Sequence, residues 1–163
     1  MKTELYLLRH GAAEDHGPDG SDSSRRLTSE GLTELRRVLA LAKKAQVTPS
    51  LVLSSPLVRA VETAELVAAE LGYQDAILKS RALAPDSSPQ AVWEELRAHA
   101  AQPFILIAGH EPLLSDTIAW LLGSSRPLVR FPKAALARID LARLGPAPSA
   151  ILRWLITPGL LVP

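Results

Sequence analysis

Cysteine is absent from the chain, and that one absence removes disulfides, thiolate nucleophiles and cysteine-built zinc sites together. An excess of charge of either sign is missing too: 18 Lys and Arg against 17 Asp and Glu leave a net charge of +1. Such a balance offers no broad footprint for nucleic acid or an anionic membrane. Any chemistry on phosphate must then come from a local cluster of cations. No run approaches the ~18 apolar residues of a membrane span, and no basic stretch followed by an apolar one of signal length stands at the N-terminus. A soluble, cytoplasmic protein is expected. The 163 residues are 47% hydrophobic, enough for one well-buried core and too little for two ordinary domains. A single domain over residues 1–163 is expected.

Residues 4–8 (ELYLL) and 103–108 (PFILIA) are short, nearly continuous apolar runs, and 51–53 (LVL) is a shorter one. That pattern suits strands covered on both faces of a largely parallel sheet. Between them the spacing predicts helices. In 28–46, Leu32, Leu35, Leu39 and Ala42 step by three and four, and in 56–71, Leu57, Val61, Ala64, Ala68 and Leu71 do the same. Ser55 reads as the N-cap of the second helix and Pro56 as its first residue. Residues 89–100 and 112–122 supply two more helices, the last stopped by Gly123. Near the end, 135–141 alternates and 150–156 (AILRWLI) reads as another strand, joined to it through LGPAPS as an antiparallel edge hairpin. The order β-α-β-α-(β)-α-β-α-β-β predicts a three-layer α/β/α sandwich with a mostly parallel sheet. One long polar connection is left, residues 11–27, and loops of that length in small domains are usually functional or disordered.

The charged residues fall where strands stop. Arg9-His10 follows the first strand, Ser54-Ser55 the second, and Gly109-His110 the fourth. Ligands of open α/β sheets bind outside those carboxyl ends, and Arg59, in the first turn after the second strand, can reach over the same crest. Taken singly, each has an ordinary account: a solvated strand end, a polar helix start, an Arg59–Glu62 surface pair worth about 0.3 kcal/mol. Taken together, two arginines and two histidines make an anion site, since guanidinium forks match phosphate oxygens. A zinc site from His10, His110 and a carboxylate is disfavoured, because no local ligand pair exists and the arginines would repel a dication. His16 sits in the polar loop as a solvated residue, and His99 in the last turn of a helix suits the macrodipole. Lys133 reads as surface. Gly31 reads as a site of close helix–strand approach rather than of chemistry.

With these residues in place, "LLRHG", "SSPLVRAVETA" and "GHEP" resemble the histidine phosphatase superfamily, of phosphoglycerate mutase-like fold. The length, "SDSSRRLTSEG", "LAP" and "FPKAALARI" are similar to its SixA-type phosphohistidine phosphatases. The resemblance implies a metal-independent hydrolase without a cofactor. It makes His10 the nucleophile that carries the phosphoryl group, with Arg9, Arg59 and His110 holding the phosphoryl oxygens and Arg25 closing over them. A neutral imidazole suits the first role near pH 7, and the neighbouring cations should disfavour its protonation. His110 is expected to act protonated, as a donor. Many members use a glutamate on an insertion after the third strand as general acid. Here 79–92 is short and holds only Asp86 as a carboxylate. Asp22 is the best-placed substitute, with Glu111, also a candidate for substrate binding, and Asp86 behind it.

A missing acid favours a weakly basic leaving group such as the imidazole of phosphohistidine, pKa about 6.5. A missing lid favours a residue displayed on a folded partner. The resemblance implies that this partner is a phosphocarrier protein, such as a histidine-containing phosphotransfer domain or a phosphotransferase-system protein. Alternatives are a phosphomonoesterase acting on a small metabolite or nucleotide, and a phosphate-binding module without turnover.

Overall fold

The two longest apolar runs lie side by side at the centre of one sheet. The computed structural model describes residues 1–161. In it β1 (Thr3–Arg9) pairs in parallel with β4 (Phe104–Gly109), in register from Glu4↔Phe104 to Arg9↔Gly109. The remaining strands are β2 (Leu51–Ser54), β3 (Leu78–Lys79), β5 (Leu136–Leu141) and β6 (Ala150–Ile156), and the sheet order is β3-β2-β4-β1-β5-β6. β5 runs antiparallel to β1, and β6 antiparallel to β5 at the edge, so the expected hairpin is present.

Alternation along the strands sends side chains into two cores. Leu5, Leu7, Leu53, Ile105, Ile107, Ala137 and Ile139 face one way, beneath α3 (Pro89–Ala98) and α4 (Leu113–Leu121). Tyr6, Leu8, Val52, Leu106, Ala108 and Leu136 face the other, beneath α1 (Ser29–Lys44) and α2 (Val58–Leu71). Strands buried on both faces cannot alternate with polar residues, which is why they read as continuous apolar runs. The result is the expected three-layer α/β/α sandwich. The expected domain extent of 1–163 includes Val162 and Pro163, which lie outside the described residues.

One local expectation is corrected. Ser55 does not cap α2 and Pro56 does not open it: the N-cap is Leu57, whose side chain makes no capping bond, and Val58 is the first helical residue. The polar loop supplies the cap instead, because the Val58 N–H donates to the Ser23 carbonyl at 3.0 Å. Ser55 is thereby free for another partner. α4 does stop as expected, with Gly123 just beyond it at φ 78°.

The parallel register aligns the ends of β1, β4 and β2 at one crest. His10 N–H donates to the Gly109 carbonyl at 3.0 Å, Ser55 N–H to Ala108 at 3.0 Å, and Ala134 N–H to the His10 carbonyl at 3.2 Å. The backbone on either side of His10 is therefore pinned.

Candidate active site

His10 and His110 leave neighbouring parallel strands, and their ring centroids stand 5.1 Å apart with planes at 56°. Both are buried. His10 Nδ1 lies 2.7 Å from the Gly11 carbonyl, an acceptor that can be satisfied only by Nδ1–H. The other nitrogen, Nε2, then carries the lone pair, and Arg59 Nε–H donates to it at 3.3 Å. A carbonyl thus fixes the tautomer and leaves the basic lone pair on Nε2.

Arg59 is buried at the crest, and its remaining nitrogens are taken by the polar loop. Nη1 donates to the Asp22 carbonyl at 2.9 Å, and Nη2 to Asp22 Oδ2 at 3.2 Å. Arg9 donates through Nη1 to the Phe131 carbonyl at 3.1 Å. Its Nε is buried with no hydrogen-bond partner among the described residues, as is Nδ1 of His110. The structure therefore gathers His10, His110 and Arg59 and sets Arg9 beside them.

The other expected site residues are held differently. Arg25 reaches the cluster only through Asp22, whose Oδ1 it meets at 2.9 Å, while its Nε donates to the Glu14 carbonyl. Glu111 is committed to the start of α4: Oε1 accepts from Ser115 N–H and Oε2 from Ser115 Oγ, each at 2.8 Å. Asp22 carries a guanidinium on each carboxylate oxygen. Its pKa is lowered, first by the Arg25 bond and then by Arg59, the reverse of what a proton donor needs at neutral pH. Asp86 and His16 are exposed, as is Lys133, and His99 Nε2 lies 3.1 Å from Glu95 Oε1. The Arg59–Glu62 surface pair does not form, since Glu62 accepts instead from Leu27 N–H at 2.8 Å.

Two residues were not singled out for their place here. Ser55 Oγ lies 2.7 Å from His110 Nε2. That oxygen accepts from Leu57 N–H at 3.3 Å and can give its own proton to His110 Nε2. That assignment makes His110 Nδ1–H the unpaired donor. Thr63 is buried, donates to the Arg59 carbonyl at 2.7 Å and accepts from Gly11 N–H at 3.4 Å. It ties α2 to the backbone that orients His10. Its spacing of four from Arg59 puts both on one helix face, the only hint of this in the sequence.

Burial pushes the His10 imidazole down to about 4, opposed by its bond to Gly11 and assisted by Arg59, Arg9 and Lys133. The cations expected to keep it neutral are a smaller cause than desolvation. Burial pushes His110 down to about 3, with His10 and Arg59 acting the same way. Opposite protonation states for the two rings are therefore not found. Both are neutral, because neither cation would be solvated there.

This has a consequence for stability. Below pH 6.5 the unfolded chain binds two protons that the folded chain refuses until about pH 4 and 3, so unfolding gains ground as pH falls through that window. Each ring contributes up to about 1.4 kcal/mol per pH unit. Urea midpoints measured from pH 7 to 4.5 should fall with a slope of about two protons, and H110Q should reduce that slope to about one. A flat profile over this range would show that the rings are solvated.

A model of the histidine phosphatase superfamily (branch 1) matches residues 5–83. An uncharacterized protein of Picosynechococcus sp. is 36% identical over 116 residues, 69% of each chain. Among solved structures, the protein histidine phosphatase SixA complexed with tungstate superposes with a TM-score of 0.89 at 28% identity, covering 98% of this chain and 100% of that one. The alpha-ribazole phosphatase of Shigella flexneri has a TM-score of 0.75 at 23% identity, over 96% and 97% of the two chains. That last likeness is one of fold.

Proposed function

The chain belongs to the histidine phosphatase superfamily and is of the SixA type, and from that premise we propose that it hydrolyses protein-borne phosphohistidine through a phosphoryl group carried on His10. The observation that carries this reading is a nucleophile in its attacking tautomer with no carboxylic acid among the described residues poised to protonate a leaving group. Asp22 is held ionised, Glu111 is bound on both oxygens, and Asp86 is exposed.

In the first step the Nε2 lone pair of His10 forms a bond to phosphorus while the bond to the leaving group breaks. The leaving group takes the electron pair. Charge spreads over the three equatorial oxygens, where Arg9, Arg59 and His110 Nδ1–H supply fixed donors. These guanidinium groups supply the positive charge that a metal provides elsewhere, so the reaction needs none. In the second step water attacks phosphorus, one of its protons passes to a phosphoryl oxygen, and the P–Nε2 electron pair returns to Nε2, regenerating neutral His10 and releasing phosphate. A substrate imidazole whose distal ring nitrogen carries a proton departs neutral with no acid at the scissile bond, whereas an alkoxide leaves poorly without a proton. The SixA likeness supports a substrate histidine displayed on a phosphocarrier protein.

The test compares leaving groups. The kcat/KM for phosphohistidine on a carrier protein and for an aryl phosphate should exceed that for an alkyl phosphate by roughly 10²- to 10⁴-fold, the range that general acid catalysis supplies when present. Equal turnover of alkyl phosphates would overturn the reading in favour of a phosphomonoesterase for small metabolites. Binding of phosphate without any turnover would make the protein a binding module.

A further inference from the structure

Every nitrogen of Arg59 is engaged before any phosphoryl group arrives. Nε sits on the lone pair of the nucleophile, while Nη1 and Nη2 hold the carbonyl and carboxylate of Asp22. The same carboxylate bridges to Arg25, so one anionic group is clasped by two guanidinium groups at the crest. Its own side chain is 63% exposed, whereas that of Arg59 is 7% exposed. The carboxylate is the part that can swing away, and the guanidinium is the part fixed in place.

We propose that Asp22 is a positioning residue that acts as a built-in rival for the phosphoryl group, holding Arg59 over His10 Nε2 until a substrate displaces it and returning to Arg59 as phosphate departs. The inference rests on the phosphatase reading and adds a control on the same site. An incoming phosphoryl group and the Asp22 carboxylate are like charges seeking one guanidinium, and they repel. Displacing the Asp22 carboxylate frees Nη2 for a phosphoryl oxygen while Nε stays beside the nucleophile, so substrate takes over a donor already in place. On the return path the same repulsion weakens the hold on the product. The loop can perform this because it is organised apart from Arg59: Asp19 accepts bonds from Ser21 and Ser24, and Ala13 bridges to Leu27.

The experiment is titration of the resting protein with inorganic phosphate, followed by calorimetry or phosphorus NMR, for wild type and D22N. Asparagine keeps the shape and removes the charge. Phosphate should bind D22N roughly two- to fivefold more tightly, the ratio expected from one exposed, screened charge contact. In turnover of an aryl phosphate, the KM and the phosphate inhibition constant should both fall, and the aryl-to-alkyl ratio should stay unchanged. A merely structural aspartate would give weaker binding on removal, not tighter. D22S serves the same purpose if D22N fails to fold. Equal or weaker phosphate binding in the variant, with clear binding in the wild type, overturns this inference alone. A selective loss of alkyl phosphate turnover, on the order of 10²-fold, overturns it by making Asp22 the proton donor. A wild type that binds no phosphate overturns this inference and the phosphatase reading together.

Discussion

Replacing His10 by alanine should lower turnover by on the order of 10⁴- to 10⁶-fold, the scale of losing a covalent nucleophile outright, while phosphate binding changes little. On the proposed mechanism the two outcomes separate, because Arg9, Arg59 and the Nδ1–H of His110 remain to hold the anion, with Arg9 still bonded to Phe131 and Arg59 to Asp22. Rapid-quench labelling should show an acid-labile, alkali-stable phosphoenzyme in the wild type and none in H10A. His110 supplies an internal check. His10 is one of the groups that depress it, so its titration, followed by imidazole proton NMR, should move upward in H10A. The acid slope of stability should also shrink by about 1.4 kcal/mol per pH unit, since one of the two proton-refusing rings is gone. Substantial turnover by H10A, together with the missing label, would mean direct attack by water, and the covalent mechanism would be wrong.

The place of His10 at the crest could be found from sequence because it follows from strand polarity. An Arg-His pair directly after a doubly buried strand can only be at a carboxyl edge, and two further strands with polar residues at the same edge narrow the crest to a few positions. The roles of the acidic residues could not be found that way. Asp22 looks like a free loop carboxylate until Arg59, 37 positions away, closes on it, and Glu111 looks like a pocket acid until Ser115 claims both its oxygens. Ser55 went astray for a related reason. Ser-Pro after a strand is a good local signal for a helix start, but a tertiary partner, His110 Nε2, displaces the local one, and the Ser23 carbonyl caps the helix from the loop. Local preference is worth about 1 kcal/mol at a cap, which one buried hydrogen bond can match. The protonation states of the two rings are similarly non-local, since burial, their main cause, is a property of the assembled layers.

Gly31 carries the second large effect, and here the expected damage is structural first. A Cβ at this position in the first turn of α1 would lie 2.2 Å from the Ala12 carbonyl oxygen and 2.9 Å from its nitrogen. Both are backbone atoms, and they are not free to yield: the same carbonyl accepts from Thr28 N–H at 2.9 Å, and Thr28 Oγ1 caps Gly31 N–H at 3.0 Å. G31A must therefore push α1 off the segment after β1, at a cost of about 2–3 kcal/mol, or roughly 5–10 °C in Tm for a chain of this size. Helix propensity acts with the opposite sign, since alanine is favoured over glycine by about 1 kcal/mol within helices; the backbone clash outweighs it. As a control, G159A meets nothing within 4 Å and should change stability by less than about 0.5 kcal/mol. The activity should follow, because Ala12 is joined to Gly11, whose carbonyl sets the tautomer of His10. A displacement near 1 Å at that carbonyl is enough to cost kcat on the order of 10²-fold, with phosphate binding less affected. Thermal melts and kcat measured together test this: a G31A protein as stable and as active as wild type would mean that α1 does not brace the nucleophile.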